Sequence, residues 1–134
     1  MSEFNHEVDV TVRYRDLDPW EHVNNAVYVT YLEHARVDYL DAVLDVELED
    51  IDVVVANLEI DYKRSITIDD DVTVAIGVSN LGTSSYTMAY EIRVGDDVAA
   101  TAETTQVVMD RETGRPTPMD EDHRAAVAAF EGLD

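Results

Sequence analysis

One segment constrains the fold of this sequence most, a helix-like run that is apolar on more than one side. From Asn24 or Asn25 to about Leu44, apolar residues recur at steps of three and four, as in an α-helix. The stripe comprises Tyr28, Tyr31, Leu32, Ala35, Tyr39, Ala42 and Val43, and other sides carry Val27, Val29 and Val37. A helix that is apolar over much of its circumference is usually enclosed by other structure. We therefore predict that the rest of the chain wraps around this helix.

Strand-like segments lie on both sides of the helix. Residues 8–14 alternate between apolar and polar positions, which predicts a first strand with one buried face. Four further strands are predicted, at 54–63, 72–78, 86–94 and 98–109. Asn80-Leu81-Gly82 and Gly95-Asp96-Asp97 are hairpin signals, so the sheet is expected to be antiparallel. With a short amphipathic helix at about 120–130, the prediction is an α+β fold, in which about five antiparallel strands wrap around a long central helix.

Length and composition narrow the class of protein further. At 134 residues, the chain is expected to form a single domain, residues 1–134. It has no cysteine, which excludes disulfides, thiolate metal ligands and cysteine nucleophiles. No apolar run approaches the roughly 20 residues of a membrane span, and the first seven residues do not resemble a signal peptide. We therefore expect a cytoplasmic protein that does not bind membranes.

The charge is strongly negative, at −21, from 30 acidic and nine basic residues. Nucleic acid is excluded as a partner because phosphate contacts need clustered cations. The acids are spread along the chain, including an acidic connection at 45–52, and such a surface repels itself in dilute buffer. At 1 M salt the screening length falls to about 3 Å. We expect adaptation to a salt-rich cytosol, as in halophiles; the alternative is an ordinary acidic protein.

Polar residues that could do chemistry are concentrated in the turn before the helix. The motif reads Tyr14-Arg15-Asp16-Leu17-Asp18, then Pro19-Trp20-Glu21, then His22-Val23-Asn24-Asn25. Together with Tyr28, Tyr31, Glu33, Ala35 and Arg36, it resembles the 4-hydroxybenzoyl-CoA thioesterase-like acyl-CoA thioesterases, and the His-Val-Asn-Asn form also looks like plant-type acyl-ACP thioesterases. The order of elements resembles the hotdog fold. The resemblance covers nearly the whole chain, with further typical residues at 61–64 and 110–116.

By this resemblance the protein hydrolyses an acyl-CoA to a carboxylate and free CoA. The second acid of the Asp-x-Asp pair, Asp18, would attack the thioester carbon or deprotonate a water. The helix N-terminus beside it has unpaired N–H groups and a partial positive charge, which can hold the oxyanion. His22 would assist Asp18 or the substrate, or only order the loop, and Asn25 would donate to the thioester or cap the helix. No metal and no bound cofactor is required.

Four residues are candidates for binding the substrate. Trp20 and Tyr28 could line an acyl or aryl pocket, although large aromatic residues more often belong to the core. Lys63 and Arg64 form the only adjacent basic pair, and they either hold CoA phosphates or offset nearby acids. Hotdog relatives join sheets edge to edge with the site at the subunit seam, so the resemblance implies a homodimer or a homotetramer made of two dimers.

Two other functions stay open. A hotdog dehydratase for 3-hydroxyacyl or enoyl thioesters would need a histidine early on the helix or in a dedicated loop, whereas His34 is mid-helix and is expected to face away. A non-catalytic acyl-CoA-binding module would not need Asp18. The acyl group and its carrier, CoA or a protein, are not fixed by the sequence.

Several nearby polar residues have structural explanations. Asp16 is expected to bond the local backbone, and Glu33 and Arg36 are expected to form an ion pair one helical turn apart. Glu59 is expected to be an exposed sheet residue. Further basic candidates for the nucleotide end of CoA are Arg93, Arg111 and Arg115.

Overall fold

The elements of the fold follow one another as a strand, a long helix, four strands and a short helix. The computed structural model describes residues 4–44 and 51–133, and all structural statements refer to those residues. In chain order they are β1 (His6–Val10), a 3₁₀ turn (Tyr14–Asp16), α1 (Asn25–Leu44), β2 (Val53–Tyr62), β3 (Val72–Leu81), β4 (Ser85–Val94), β5 (Asp97–Val108) and α2 (Glu121–Glu131). The acidic connection predicted at 45–52 lies outside the described residues from 45 to 50.

The five described strands form one antiparallel sheet in the order β1-β3-β4-β5-β2, which confirms the predicted α+β class. The β4–β5 hairpin turns at Gly95-Asp96 as predicted, and Gly95 has φ +58°, which glycine adopts without steric cost. The β3–β4 turn comes later than predicted because an irregularity between Val78 and Asn80 lets β3 continue to Leu81. Neither described helix has the length and hydropathy of a membrane-spanning segment.

Helix α1 packs one side against the inner face of this sheet. Its buried residues are Tyr28, Tyr31, Leu32, Ala35 and Tyr39. They meet alternate residues of the sheet, including Val74, Ile76, Met88, Tyr90 and Ile92. Burying one such large side chain contributes about 1.5–3 kcal/mol. The prediction that the helix is enclosed is wrong for its other side, because Val29 and Val37 are exposed in the single chain.

The first strand is shorter than predicted. It ends at Val10, and Tyr14, which was expected on its buried face, lies in the 3₁₀ turn and is 85% exposed. Asp16 causes this, since its Oδ2 accepts from the backbone N–H of Arg13 at 2.8 Å and its own N–H donates to the Arg13 carbonyl at 2.9 Å. Local hydrogen bonds between a side chain and the backbone compete with the backbone hydrogen bonds that join strands in a sheet. The same Oδ2 accepts from Tyr31 at 2.9 Å, so Asp16 has the predicted structural role.

The predicted Glu33–Arg36 ion pair is wrong. Glu33 is exposed, whereas Arg36 is half-buried against the sheet and donates from Nη1 to the Tyr90 hydroxyl at 3.2 Å. The Tyr90 hydroxyl lies 2.7 Å from the Thr104 hydroxyl, which also accepts from Gln106 Nε2 at 2.5 Å. The sheet thus carries a row of hydrogen-bonded polar groups beneath α1, and Arg36 joins it because helix position 36 faces the sheet.

The Glu131 carboxylate of α2 connects α2 to the sheet and to α1 through hydrogen bonds. Glu131 Oε2 accepts from the Tyr39 hydroxyl at 2.5 Å and from the Val78 backbone N–H at 2.8 Å. A Cβ at Gly77 would lie 3.2 Å from the same oxygen, so glycine leaves room for it. Burial, followed by the hydrogen bond to Glu131, raises the pKa of Tyr39, which keeps its hydroxyl a neutral donor.

Replacing Glu131 with alanine is expected to lower the free energy of unfolding by about 2–4 kcal/mol, since two donors, one of them a backbone N–H, lose a charged acceptor. Urea denaturation in molar KCl measures the change. Glu112→Ala, which removes the same charge from an exposed loop, is the control and is expected to change stability by less than about 0.5 kcal/mol. Equal losses in the two variants would contradict the role of Glu131.

Candidate active site

Residues 17–24 connect the 3₁₀ turn to α1, and they form a turn that is closed by backbone hydrogen bonds. The N–H of Asp18 donates to the His22 carbonyl at 2.7 Å, and the N–H of Glu21 donates to the Asp18 carbonyl at 3.0 Å. Glu21 has φ +65°, a left-handed conformation that is uncommon outside glycine. Buried Val23 ties the turn to the core, because its N–H donates to the Ile66 carbonyl at 2.8 Å. The backbone of the turn is therefore held by hydrogen bonds within the turn and to the core.

The Asp18 carboxylate is half-buried and oriented by backbone donors. Its Oδ1 accepts from the N–H groups of Trp20 at 2.9 Å and His22 at 3.1 Å. Within the described part of the chain, Oδ2 accepts no hydrogen bond. One oxygen is thus held by the turn, and the other is available to a water or a substrate.

Helix α1 begins directly after this turn, and Asn24 is its cap. Asn24 Oδ1 accepts from the N–H of Ala26 at 2.8 Å, and its carbonyl accepts from Val27 at 2.9 Å. The sequence left capping open for Asn25, but Asn25 is instead the first helical residue. The N–H groups of the first helical turn lack intrahelical acceptors, and among residues 4–44 and 51–133 none accepts from the Asn25 backbone N–H.

A cavity of about 310 Å³ lies between this turn and the end of β2. Its lining is Asp18, His22, Val23, Asn25, Tyr28, Tyr62, Lys63, Arg64 and Ser65. It brings together six of the seven predicted site residues. The seventh, Trp20, is 75% exposed and does not line the cavity, so its position in the single chain does not support the predicted pocket role.

Two tyrosines join the start of α1 to the end of β2. Tyr62 donates to the Asn25 carbonyl at 2.9 Å, and Tyr28 donates to the Arg64 carbonyl at 3.1 Å. Their rings meet edge to face with centroids 4.9 Å apart. Burial, then the neighbouring Tyr62, raises the pKa of Tyr28. Tyr28 is therefore a core residue that also lines the cavity, and its role in binding the substrate stays a prediction.

Sequence reasoning did not place Tyr62 or Ser65 in the site. Tyr62 was predicted as a strand residue, but β2 ends at Tyr62 and its ring turns toward α1. The typical Asp61-Tyr62-Lys63-Arg64 motif was the available signal. Ser65 follows directly, and no pattern marked it.

The two predicted cations of the site differ in their partners. Arg64 lies 2.8 Å from an Asp97 oxygen and 3.6 Å from Asp70. Lys63 is exposed and forms no ion pair with any described residue. Much of the positive charge of Arg64 is therefore offset by acids, whereas Lys63 is free to meet an anionic group.

The other residues considered from the sequence lie elsewhere. Arg93 pairs with Glu7 at 2.9 Å and Glu91 at 2.7 Å, and Arg111 pairs with Asp52 at 2.8 Å. Exposed positions away from this cavity hold His34, Glu59 and Arg115. Among the described residues, no group of His, Asp and Glu side chains is arranged to hold a metal ion.

Comparison with known proteins gives consistent matches. The chain matches the family model of the thioesterase-like superfamily over residues 12–127. It is 32% identical over 112 residues to the long-chain acyl-CoA thioesterase FadM of Escherichia coli K12, covering 80% of this chain and 85% of FadM.

Solved structures match over nearly the whole chain. A thioesterase from Thermus thermophilus, complexed with coenzyme A and Zn, is 39% identical with a TM-score of 0.91, covering 100% of this chain and 99% of that one. The DHNA-CoA thioesterase of Staphylococcus aureus is 25% identical with a TM-score of 0.83, covering 94% and 90%. These thioesterases share the predicted hotdog architecture.

Proposed function

This chain belongs to the thioesterase-like superfamily and is a thioester hydrolase, and we propose that it hydrolyses acyl-CoA with Asp18 as the reacting carboxylate. The names of its relatives support acyl-CoA as the substrate. One observation carries the assignment of Asp18: its carboxylate is held through Oδ1 by two backbone N–H groups, lines a cavity, and precedes a helix N-terminus. The cytoplasmic location expected from the sequence is part of this proposal.

In the proposed reaction, the thioester carbonyl oxygen lies against the backbone N–H of Asn25 at the start of α1. Negative charge that develops on this oxygen is stabilised by the N–H and by the helix dipole. Asp18 either adds to the carbonyl carbon, expelling CoA thiolate and leaving an acyl anhydride for water to hydrolyse, or takes a proton from the attacking water. Both routes end in the free acid and CoA.

His22 and Asn25 are proposed to assist. The backbone N–H of His22 already orients Asp18, and His22 lines the same cavity, where its ring could donate to the substrate. Because Asn24 caps the helix, the side chain of Asn25 is not used for capping, and it too can donate to the thioester.

We also propose a homodimer, or a tetramer of two dimers, that forms along β2. This strand is an edge of the sheet whose first half is apolar, with Val54 and Val55 49% and 44% exposed, and whose second half exposes Glu59 and Asp61. The opposite edge, β1, exposes Glu7 and Asp9. We place the pairing at the apolar half of β2, because exposed apolar residues on an edge strand invite pairing, whereas charges discourage it.

A panel of acyl-CoAs with a thiol reagent in molar KCl tests the function. Release of free CoA is the expected result. Hydration of an enoyl chain without CoA release would mean a dehydratase, and saturable binding with neither reaction would mean a binding module. The exposed position of His34, outside the cavity, disfavours the dehydratase.

Lys63→Glu is expected to raise KM for acyl-CoA by about tenfold, because one charge-assisted phosphate contact is lost, with little change in kcat. Steady-state kinetics at fixed KCl measure both constants. Arg115→Glu makes the same charge change at an exposed loop position and is expected to leave KM unchanged. A larger KM effect at Arg115 than at Lys63 would move the phosphate site to that loop.

A further inference from the structure

The first peptide group of α1, which joins Asn25 to Ala26, is held at both ends. Its carbonyl oxygen, that of Asn25, accepts from the Tyr62 hydroxyl at 2.9 Å. Its N–H, that of Ala26, donates to Asn24 Oδ1 at 2.8 Å. A peptide group is planar, so two hydrogen bonds at opposite ends fix its orientation. The start of the helix is therefore oriented by a side chain from β2 as well as by its own cap.

Tyr62 is itself anchored to the sheet. It is the last residue of β2, and directly after it the N–H groups of Lys63 and Arg64 both donate to the Ala99 carbonyl, at 2.8 and 3.1 Å. Ala99 is a fully buried residue of β5. The Tyr62 ring also packs edge to face against Tyr28, with centroids 4.9 Å apart. The Tyr62 hydroxyl thus connects the interior of the sheet to the start of the helix.

Folding stability gives little reason for this hydrogen bond. Tyr62 is 44% exposed, so water can take the place of its hydroxyl at the Asn25 carbonyl at low cost. At the other end of α1, by contrast, Tyr39 is fully buried and its hydroxyl donates to the Glu131 carboxylate at 2.5 Å. The two tyrosine hydroxyls therefore differ in role, and that of Tyr62 is better explained by orientation of the helix start.

The Tyr62 hydroxyl is not available as a donor to the substrate. A tyrosine hydroxyl carries one proton, and that of Tyr62 is given to the Asn25 carbonyl. Although Tyr62 lines the cavity of Asp18, donation to a thioester there would break its bond to the helix. The backbone N–H of Asn25, which has no acceptor among the described residues, is the group proposed to receive the thioester oxygen. Tyr62 is therefore placed to act through Asn25.

We propose that Tyr62 is a positioning residue for this reaction, whose hydroxyl holds the start of α1 so that the Asn25 N–H is aimed at the thioester oxygen. The inference rests on the proposed thioesterase function. A misplacement of about 1 Å in an active site can cost about 100-fold in rate. Because the oxyanion forms only in the transition state, a poorly aimed donor lowers kcat rather than weakening substrate binding.

Tyr62→Phe removes the hydroxyl and keeps the ring. It is expected to lower kcat for acyl-CoA by about tenfold, with KM within about twofold of the wild type and little change in melting temperature. Tyr39→Phe is the control, because it also removes one tyrosine hydroxyl from a bond to α1 but lies at the far end of the helix. It is expected to lower the melting temperature and to leave kcat and KM unchanged. Release of CoA and thermal melting, both in molar KCl, measure these effects.

Amide hydrogen exchange separates positioning from direct contact with the substrate. In Tyr62→Phe, the amides of the first two turns of α1 are expected to exchange several-fold faster than in the wild type, since the helix start opens more often. Tyr39→Phe is expected to leave exchange in these two turns unchanged. A loss of kcat in Tyr62→Phe without faster exchange would mean that the hydroxyl acts on the substrate itself, which would overturn the positioning role.

Asn24→Ala is the second variant, should Tyr62→Phe fail to fold. It frees the other end of the same peptide group and is expected to lower kcat without changing KM, together with a lower melting temperature from the lost cap. An unchanged kcat in folded Tyr62→Phe, or in Asn24→Ala if it is the variant used, overturns this inference and leaves the thioesterase assignment standing. A wild type that releases no CoA from any acyl-CoA would instead overturn the proposed function itself.

Discussion

Replacing Asp18 with asparagine is expected to lower kcat/KM for acyl-CoA by at least about 1,000-fold, because the amide can neither attack the thioester nor take a proton from water. The fold is expected to survive, since the amide oxygen can still accept from the backbone N–H groups of Trp20 and His22. Release of CoA, followed with a thiol reagent, measures the loss.

Glu21→Gln is the matched control for this experiment. It removes one carboxylate from the same turn, at an exposed position that does not line the cavity. We expect its kcat/KM to stay within a few-fold of the wild type. An Asp18→Asn enzyme that kept a tenth or more of wild-type activity would show that another group does the chemistry.

Raising KCl from 0.1 M to 2 M is expected to raise the melting temperature by about 10 °C or more, which corresponds to roughly 2–3 kcal/mol for a domain of this size. With 30 acidic and nine basic residues, the folded surface repels itself. The screening length is about 10 Å at 0.1 M salt and about 3 Å at 1 M, so salt removes most of this repulsion.

A charge variant tests whether repulsion is the cause. Asp69 and Asp71 are exposed, whereas Asp70 between them accepts from the Thr67 backbone N–H at 2.8 Å and has a structural role. The double change Asp69→Asn, Asp71→Asn is expected to raise the melting temperature at 0.1 M KCl more than at 2 M. A wild-type melting temperature that is flat or falls with salt would rule out adaptation to a salt-rich cytosol.

Most of the fold was predictable because the period of the apolar residues reports the buried face directly. Helix α1, strands β2 to β5 and α2 lie within a few residues of their predicted bounds. The errors arose where one side chain decides the local structure. Asp16 bonds the backbone of Arg13 and ends the first strand early, and Arg36 turns to Tyr90 rather than to Glu33.

The site was predictable only where its residues are close in sequence. Asp18, His22 and Asn25 lie on one turn, so their proximity follows from local geometry. The presence of Tyr62 and Ser65, and the exposure of Trp20, depend on where β2 ends relative to α1, and the sequence pattern does not specify that distance.

The contrast between the two margins of the sheet limits how many chains can add to it. Strand β1 exposes Glu7 and Asp9, whereas β2 exposes Val54 and Val55 in its first half and Glu59 and Asp61 in its second. If the apolar half of β2 pairs with a second copy in reverse orientation, as proposed, the doubled sheet has β1 with its exposed acids at both ends. These charges on the outer strands disfavour the addition of further copies at high salt, where long-range repulsion between molecules no longer protects them from aggregation.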